Sequence, residues 1–363
     1  MSGIVGDNTG TGSGQIATVQ GITTSSSDPA VDTNPSGGLG TVWANTSSGE
    51  MYACTDITNG SNVWTNMGDG TGDIAPWYVT SASTSYFTVL GHATGYASNT
   101  SYDRNAMASD GDSTDWGDMS RAGGAIGCSS STTHGYASGG YNGANMNNID
   151  KFAMASTSDG TDVGDLTYSG HHVGGVTGDG YGYAFGGWSN QDQINKYSYS
   201  SDGNATDVGD TRSSYAQRGG QSETHGYTLG GTTPNNNVIS KFTFANNNYS
   251  TGIGVIRGSQ FVGCTCTADG YVFSIGGGQG TDFIDKMATA SDSDAVVTGA
   301  TLAVAIDVAA GGSNSSTTGY VAGGGVSSNL NQIAKFALNI SSGNSVDVGN
   351  LVVDRSNTGG CQY

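Results

Sequence analysis

Apolar residues in the last three quarters of this chain come in short clusters that alternate with polar positions and are separated by Gly, Ser, Asp and Asn. That alternation is the period of a half-buried strand. In "IDKF", residues 149–152, Ile149 and Lys151 face one side of such a strand and Asp150 and Phe152 the other. The phrase returns as "INKY", "ISKF", "IDKM" and "IAKF", so Lys151, Lys196, Lys241, Lys286 and Lys335 stand at spacings of 45, 45, 45 and 49, with Arg104 47 residues earlier. The pattern is a repeat of six.

Two further landmarks travel with the basic residue. A Gly-Tyr pair precedes it (Gly95-Tyr96, Gly135-Tyr136, Gly182-Tyr183, Gly226-Tyr227, Gly270-Tyr271, Gly319-Tyr320), followed in most repeats by a diglycine, as in "GYASGG". A glycine step follows it at Gly117, Gly164, Gly209, Gly254, Gly299 and Gly349, 13 residues on in every repeat but the last, where the interval is 14. A length so constant across a Ser/Asp/Gly turn predicts a hairpin of pinned register. Other stretches, such as "YNGANMNN", "WSNQDQ" and "TTPNNN", vary in length and sequence. With one more short strand before each Gly-Tyr pair, often marked by Gly-Gly, each repeat holds four strands, the count for one propeller blade.

The order within "RAGGAIGCSSSTTHGYASGG", residues 121–140, resembles kelch-type β-propellers. Only Trp116 keeps the tryptophan of the kelch fourth strand. The resemblance implies an all-β fold, a six-bladed kelch-like β-propeller over residues 83–363. Residues 357–363 are expected to pair into the blade begun by residues 85–118 and close the ring.

Before Arg104 the chain has no basic residue, and Trp43, Trp64 and Trp77 are concentrated there. Residues 1–37 read as an extended N-terminal segment with little to bury, and residues 38–82 as a small β module of two or three strands. "MSGIVG" and "TVWANTSSGEMYAC" resemble the N-terminal segments of tail-fibre and other virion proteins of tailed bacteriophages, particularly those of marine cyanobacteria. That resemblance implies a virion structural protein, assembled in the host cytoplasm, attached to other virion proteins through its N-terminal region and displaying the propeller. It also implies a homo-oligomer, a trimer first.

Charge and composition narrow the partners. With 11 basic and 30 acidic residues the net charge is −19, so no basic stripe exists for nucleic acid or an anionic membrane. No apolar run is long enough to insert in a membrane. Five cysteines, Cys54, Cys128, Cys264, Cys266 and Cys361, have neither an even count nor metal spacing. Turn aspartates such as Asp110, Asp112, Asp159 and Asp162 match no calcium loop and are explained by turn chemistry, so no cofactor is expected, with Ca2+ the one alternative.

Candidate chemistry then reduces to the lysines and the variable connections. The lysines read as structural, pairing across the hairpin (Lys151 with Asp162, Lys196 with Asp207, Lys335 with Asp347) or with carbonyls of a neighbouring diglycine; a ring of lysines at an axial anion site is the other use. No catalytic motif is present, and no enzyme is expected; a glycan-degrading spike would need a carboxylate pair. The variable connections offer Tyr141, Asn142, Asn145, Trp188, Asn190, Gln191, Asn235 and Asn236, aromatic faces beside neutral amides that suit sugar rings. The sequence therefore points to a fibre or appendage protein binding a host-surface glycan or protein, with a head or neck protein contacting only virion partners as the alternative.

Overall fold

Every regular element among the described residues is a strand, as expected where alternating clusters are cut short by turn formers. The computed structural model describes residues 22–68, 86–92 and 100–362, apart from 179, 189–190, 213–215, 232–236, 247, 259–262, 269, 279, 307–310, 316 and 326–327; for 86–92 and 362 it describes the main chain alone. The fold is all-β, built from small and mostly antiparallel sheets, and the chain divides into two compact parts between Trp77 and Tyr78.

In the first part β1 (Thr23–Ser25), β2 (Val42–Asn45), β3 (Met51–Asp56) and β4 (Val63–Asn66) form one sheet in that order, with β1 parallel to β2. Tyr52, Cys54 and Trp64 are buried in it, and Trp43 meets Trp64 edge-on at 5.8 Å. Residues 23–25, which the sequence places in an extended arm, are thus a strand of the small module. Asn62 holds that segment down, its Nδ2 donating to Val31 O at 2.9 Å and to Asn34 Oδ1 at 2.8 Å.

The second part begins with β5 (Tyr86–His92), β6 (Ser101–Ala106) and β7 (Thr114–Asp118). Groups of four strands follow. The first comprises β8 (Gly127–Ser130), β9 (His134–Ser138), β10 (Met146–Ala153) and β11 (Thr161–Gly170). The second comprises β12 (Gly174–Gly178), β13 (Tyr181–Phe185), β14 (Gln193–Ser198) and β15 (Thr206–Asp210). Next come β16 (Arg218–Gln221), β17 (His225–Leu229), β18 (Val238–Thr243) and β19 (Thr251–Val255), then β20 (Cys264–Ala268), β21 (Tyr271–Ile275), β22 (Thr281–Ala288) and β23 (Val296–Ile306). Last are β24 (Gly311–Asn314), β25 (Thr318–Ala322), β26 (Leu330–Ala337), β27 (Ser342–Asn344) and β28 (Val346–Gln362).

β28 serves twice. Its first half pairs with β26 and its end with β5, Cys361 lying opposite Thr88, so the sixth repeat and the first share one seven-stranded sheet. No sheet of the described residues closes on itself. The first strands of the repeats nevertheless neighbour one another in chain order, β8 with β12, β12 with β16, β16 with β20, β20 with β24 and β24 with β28, and β28 neighbours β8.

The sequence landmarks are cross-strand partners. Tyr136 stands opposite Lys151, Tyr183 opposite Lys196, Tyr227 opposite Lys241 and Tyr320 opposite Lys335. Two repeats depart from the expected phrase. Phe273, two residues past Tyr271, faces Lys286, and Thr88 faces Arg104, while Gly95 and Tyr96 lie outside the described residues. The fixed interval after the basic residue is a register: Tyr102, Ile149, Ile194, Ile239 and Ile333 pair with Gly117, Gly164, Gly209, Gly254 and Gly349, each beside a β-bulge. Glycine is required there because the next repeat's turn lies against it. A Cβ at Gly164 would collide with the Gly203 carbonyl, at Gly209 with that of Asn248, at Gly254 with that of Ser293 and at Gly349 with that of Gly111.

The bulge also corrects the lysine pairing. It sets Asp150 opposite Asp162 and Lys151 opposite Thr161, so the hairpin aspartates are out of step with the lysines. Asp162, Asp207 and Asp347 instead accept the backbone N–H of their own step glycines, Gly164, Gly209 and Gly349. The lysine partners are carboxylates on the turn of the following repeat: Lys151 with Asp202 at 2.9 Å, Lys241 with Asp292 at 2.5 Å and Lys335 with Asp110 at 2.6 Å. Lys196 and Lys286 lie over the rings of Tyr181 and Tyr271, at 3.9 and 4.7 Å. These partners are neither the hairpin aspartates nor the diglycine carbonyls.

A second set of charges is buried. The residue before the basic one is Asp103, Asp150 or Asp285 in three repeats, each at most 1% exposed, and each is met by an arginine: Arg355 of β28, and Arg121 and Arg257 of the connections before β8 and β20, at 2.7, 2.8 and 2.6 Å. Burial raises all three carboxyl pKa values, against the pull of the arginines.

Candidate functional site

The length-variable connections meet around one histidine. After β9 the diglycine Gly139-Gly140 takes positive φ, +63° and +115°, a geometry open to residues without a Cβ, and turns the chain into the Tyr141–Asn145 loop. Tyr141 and Asn145 bridge each other across it, and Asn142 uses its Oδ1 to accept the Ala144 N–H, so Asn142 holds the turn. Between β11 and β12 lie His171 and His172. After β13 the next diglycine delivers Trp188, whose N–H donates to His171 O at 2.6 Å.

His171 is the centre of the group. Its ring is 5.0 Å from Tyr141, 5.0 Å from His172 and 5.5 Å from Trp188, the last nearly parallel at 21°. Its Nδ1 is 2.7 Å from Asn145 Oδ1. With the amide oxygen accepting, the imidazole proton sits on Nδ1, Nε2 is an acceptor, and the Asn145 NH2 points away as a donor. Burial lowers the His171 pKa, so the ring is neutral at pH 7. Trp188 is 42% exposed although its own backbone is fixed, leaving an indole face open to solvent.

Of the residues expected from sequence, Tyr141, Asn145 and Trp188 come together, and Gln191 lies nearby, beside the end of β11. Asn142 serves its own turn. Asn190, Asn235 and Asn236 lie outside the described residues. Sequence reasoning missed His171 and His172 as members. Their signal was the doubled histidine in a connection that does not repeat.

Such a site supplies an aromatic face beside a neutral imidazole and an amide, a combination suited to stacking and hydrogen bonding. The turn aspartates have other employment: Asp112, Asp159 and Asp294 accept backbone N–H groups of Asn350, Asp118 and Val255 in the adjoining repeat. Among the described residues no group of three or more His, Cys, Asp or Glu is placed to hold a metal. No known protein family matches the chain, and no curated protein matches it.

Proposed function

We propose that residues 86–362 form a six-bladed β-propeller and that the protein is a bacteriophage fibre or appendage component whose propeller binds a neutral glycan on the host surface. The blades are the four groups of four strands, the set of β24, β25, β26 and the first half of β28, and the set of the end of β28 with β5, β6 and β7. Support for the ring comes from the order of first-strand neighbours, which returns from β28 to β8, and from the step glycines, where Gly349 of the last group receives the turn of the first. Support for the virion setting is the likeness of residues 1–6 and 41–54 to phage fibre segments.

One observation carries the binding reading: the exposed Trp188 indole stacked on His171, which in turn orients Asn145. A pyranose ring lying on the indole would meet donors from the amide and an acceptor at His171 Nε2. The chain's charge of −19 favours a neutral sugar over an acidic one.

The test is binding of the full chain to a neutral-glycan array, repeated with Trp188→Ala. Loss of the stacking face is expected to weaken binding about tenfold or more, in line with about 1.5 kcal/mol for an aromatic contact. Unchanged binding by a folded variant defeats the site. Release of reducing sugar would replace binding with turnover, and a particle in which Trp188 is covered by virion neighbours would remove the host from the reading.

A further inference from the structure

The first strands carry a second site, independent of the aromatic one. Six positions share one place in them: Gly127, Gly174, Arg218, Cys264, Gly311 and Gly359. The residues that follow bring neighbouring backbones into direct contact. A Cβ at Gly175 would collide with the Cys128 backbone, at Gly219 with the Gly175 carbonyl and at Gly312 with the Thr265 carbonyl; at Gly360 it would lie 2.6 Å from Gly312 O. Thr265 Oγ1 donates to Gly219 O at 2.5 Å. Together the first strands line a partly open cavity of about 100 Å3.

The charge of this cavity is opposite to that of the chain. Its lining residues include no Asp or Glu and a single cation, Arg218, in a protein with 30 acids. Arg218 stands where the other repeats have glycine or cysteine. Its Nε donates to Gly263 O at 2.6 Å, while Nη2 is buried and has no partner among the described residues. The ionisable groups it feels are the thiols of Cys264 and Cys128, one from the next repeat and one from two repeats before, so the guanidinium lies between strands. Burial lowers its pKa to about 10, which leaves it protonated at neutral pH without a carboxylate.

Donors complete the surroundings. Gln221 Oε1 is taken by the Thr177 N–H at 2.7 Å, and Thr267 Oγ1 by the Gln221 N–H at 3.1 Å. What these two side chains have left is the amide NH2 and the hydroxyl proton. A guanidinium nitrogen that is buried without a partner calls for an acceptor.

We propose that this cavity binds one small inorganic anion, held by Arg218 Nη2. Chloride, sulfate and phosphate are the candidates.

The test is thermal unfolding and calorimetric titration of the full chain with sodium chloride, sulfate and phosphate, at ionic strength held constant by a bulky organic sulfonate. A saturable one-to-one response is expected for at least one anion, with a melting temperature about 5 °C higher at a hundredfold excess over Kd. Chloride alone would define a halide site, and the tetrahedral anions alone an oxyanion site. Arg218→Gly, which installs the residue of the equivalent positions, should abolish the saturable response. An equal response in that variant, or none from the unmodified protein with all three salts, overturns the proposal. Where the variant does not fold, anomalous diffraction from crystals soaked in bromide and in selenate decides: either anion within hydrogen-bonding reach of Nη2 supports the site, and a cavity that holds neither refutes it.

Discussion

Replacing Arg355 by methionine should unfasten the last strand. Arg355 is 0% exposed and its partner Asp103 is 1% exposed. One guanidinium nitrogen, Nη2, lies 2.7 Å from Asp103 Oδ1 and donates to Ser101 Oγ at 2.9 Å, while Nη1 donates to Ser101 O at 2.6 Å. The second carboxylate oxygen accepts the Val352 N–H at 2.7 Å and the Ser113 hydroxyl at 3.1 Å. The group therefore joins β6, the residue ahead of β7 and both halves of β28. Removing one member of a buried ion pair costs about 3–5 kcal/mol, because the remaining charge stays out of water.

The pH dependence of that loss has a definite sign. Burial already raises the Asp103 pKa, and Arg355 opposes the rise. Without the arginine the folded-state pKa climbs further above the unfolded value. A carboxyl raised in this way contributes stability that is present below the unfolded pKa, about 4, and lost as pH rises through the folded pKa. The Arg355→Met deficit should accordingly be smallest in acid and largest near neutrality. Urea unfolding of the unmodified protein and the variant from pH 4 to 8 measures it, and adding Asp103→Asn should restore part of the loss. A deficit below about 1 kcal/mol at pH 7, or a double variant no more stable than Arg355→Met, would refute the reasoning.

Three other outcomes follow from particular contacts. Gly164→Ala, whose new Cβ meets the rigid Gly203 carbonyl, should lose about 1–3 kcal/mol in urea unfolding, the range for forced overpacking. Lys151→Ala should cost no more than about 1 kcal/mol, and less at high salt, because Lys151 and Asp202 are 23% and 55% exposed along their side chains. His134, His171 and His225 have pKa values lowered by burial, so stability from them is present above about pH 6.5 and falls as pH drops below it. Melting temperatures from pH 7.5 to 5.5 should decline, and less so with all three histidines replaced by glutamine.

The repeat was legible in the sequence wherever a contact lies within one hairpin. The step glycine follows its basic residue at constant length because Ile149 must face Gly164, and Ile194 must face Gly209, whatever occupies the turn. Contacts between repeats were not legible. Lys151 and Asp202 are 51 residues apart, because the acid that meets this lysine sits on the hairpin turn of the next repeat. The bulge was invisible too, since it arises from backbone pairing and shifts the aspartates by one place relative to the simple alternation. The same limit hid Arg218 among "QRGG", where only the position of the other first strands shows that a side chain is unexpected.

His172 distinguishes a working surface from drifting loops. It holds φ at +56°, and the residues at the same place before other first strands, Ala125, Ala216 and Asn357, hold +57°, +50° and +52°. The left-handed conformation belongs to the fold, and a small residue or asparagine fills it at least cost. A histidine there gains nothing the backbone needs, yet its ring lies 5.0 Å from His171 and 6.0 Å from Trp188. His172→Asn should thus leave the melting temperature unchanged or higher while weakening glycan binding severalfold. If both fall together, the ring is part of the packing of this face; if neither moves, the cluster around Trp188 does not extend to His172 and the binding face is limited to Tyr141, Asn145, His171 and Trp188.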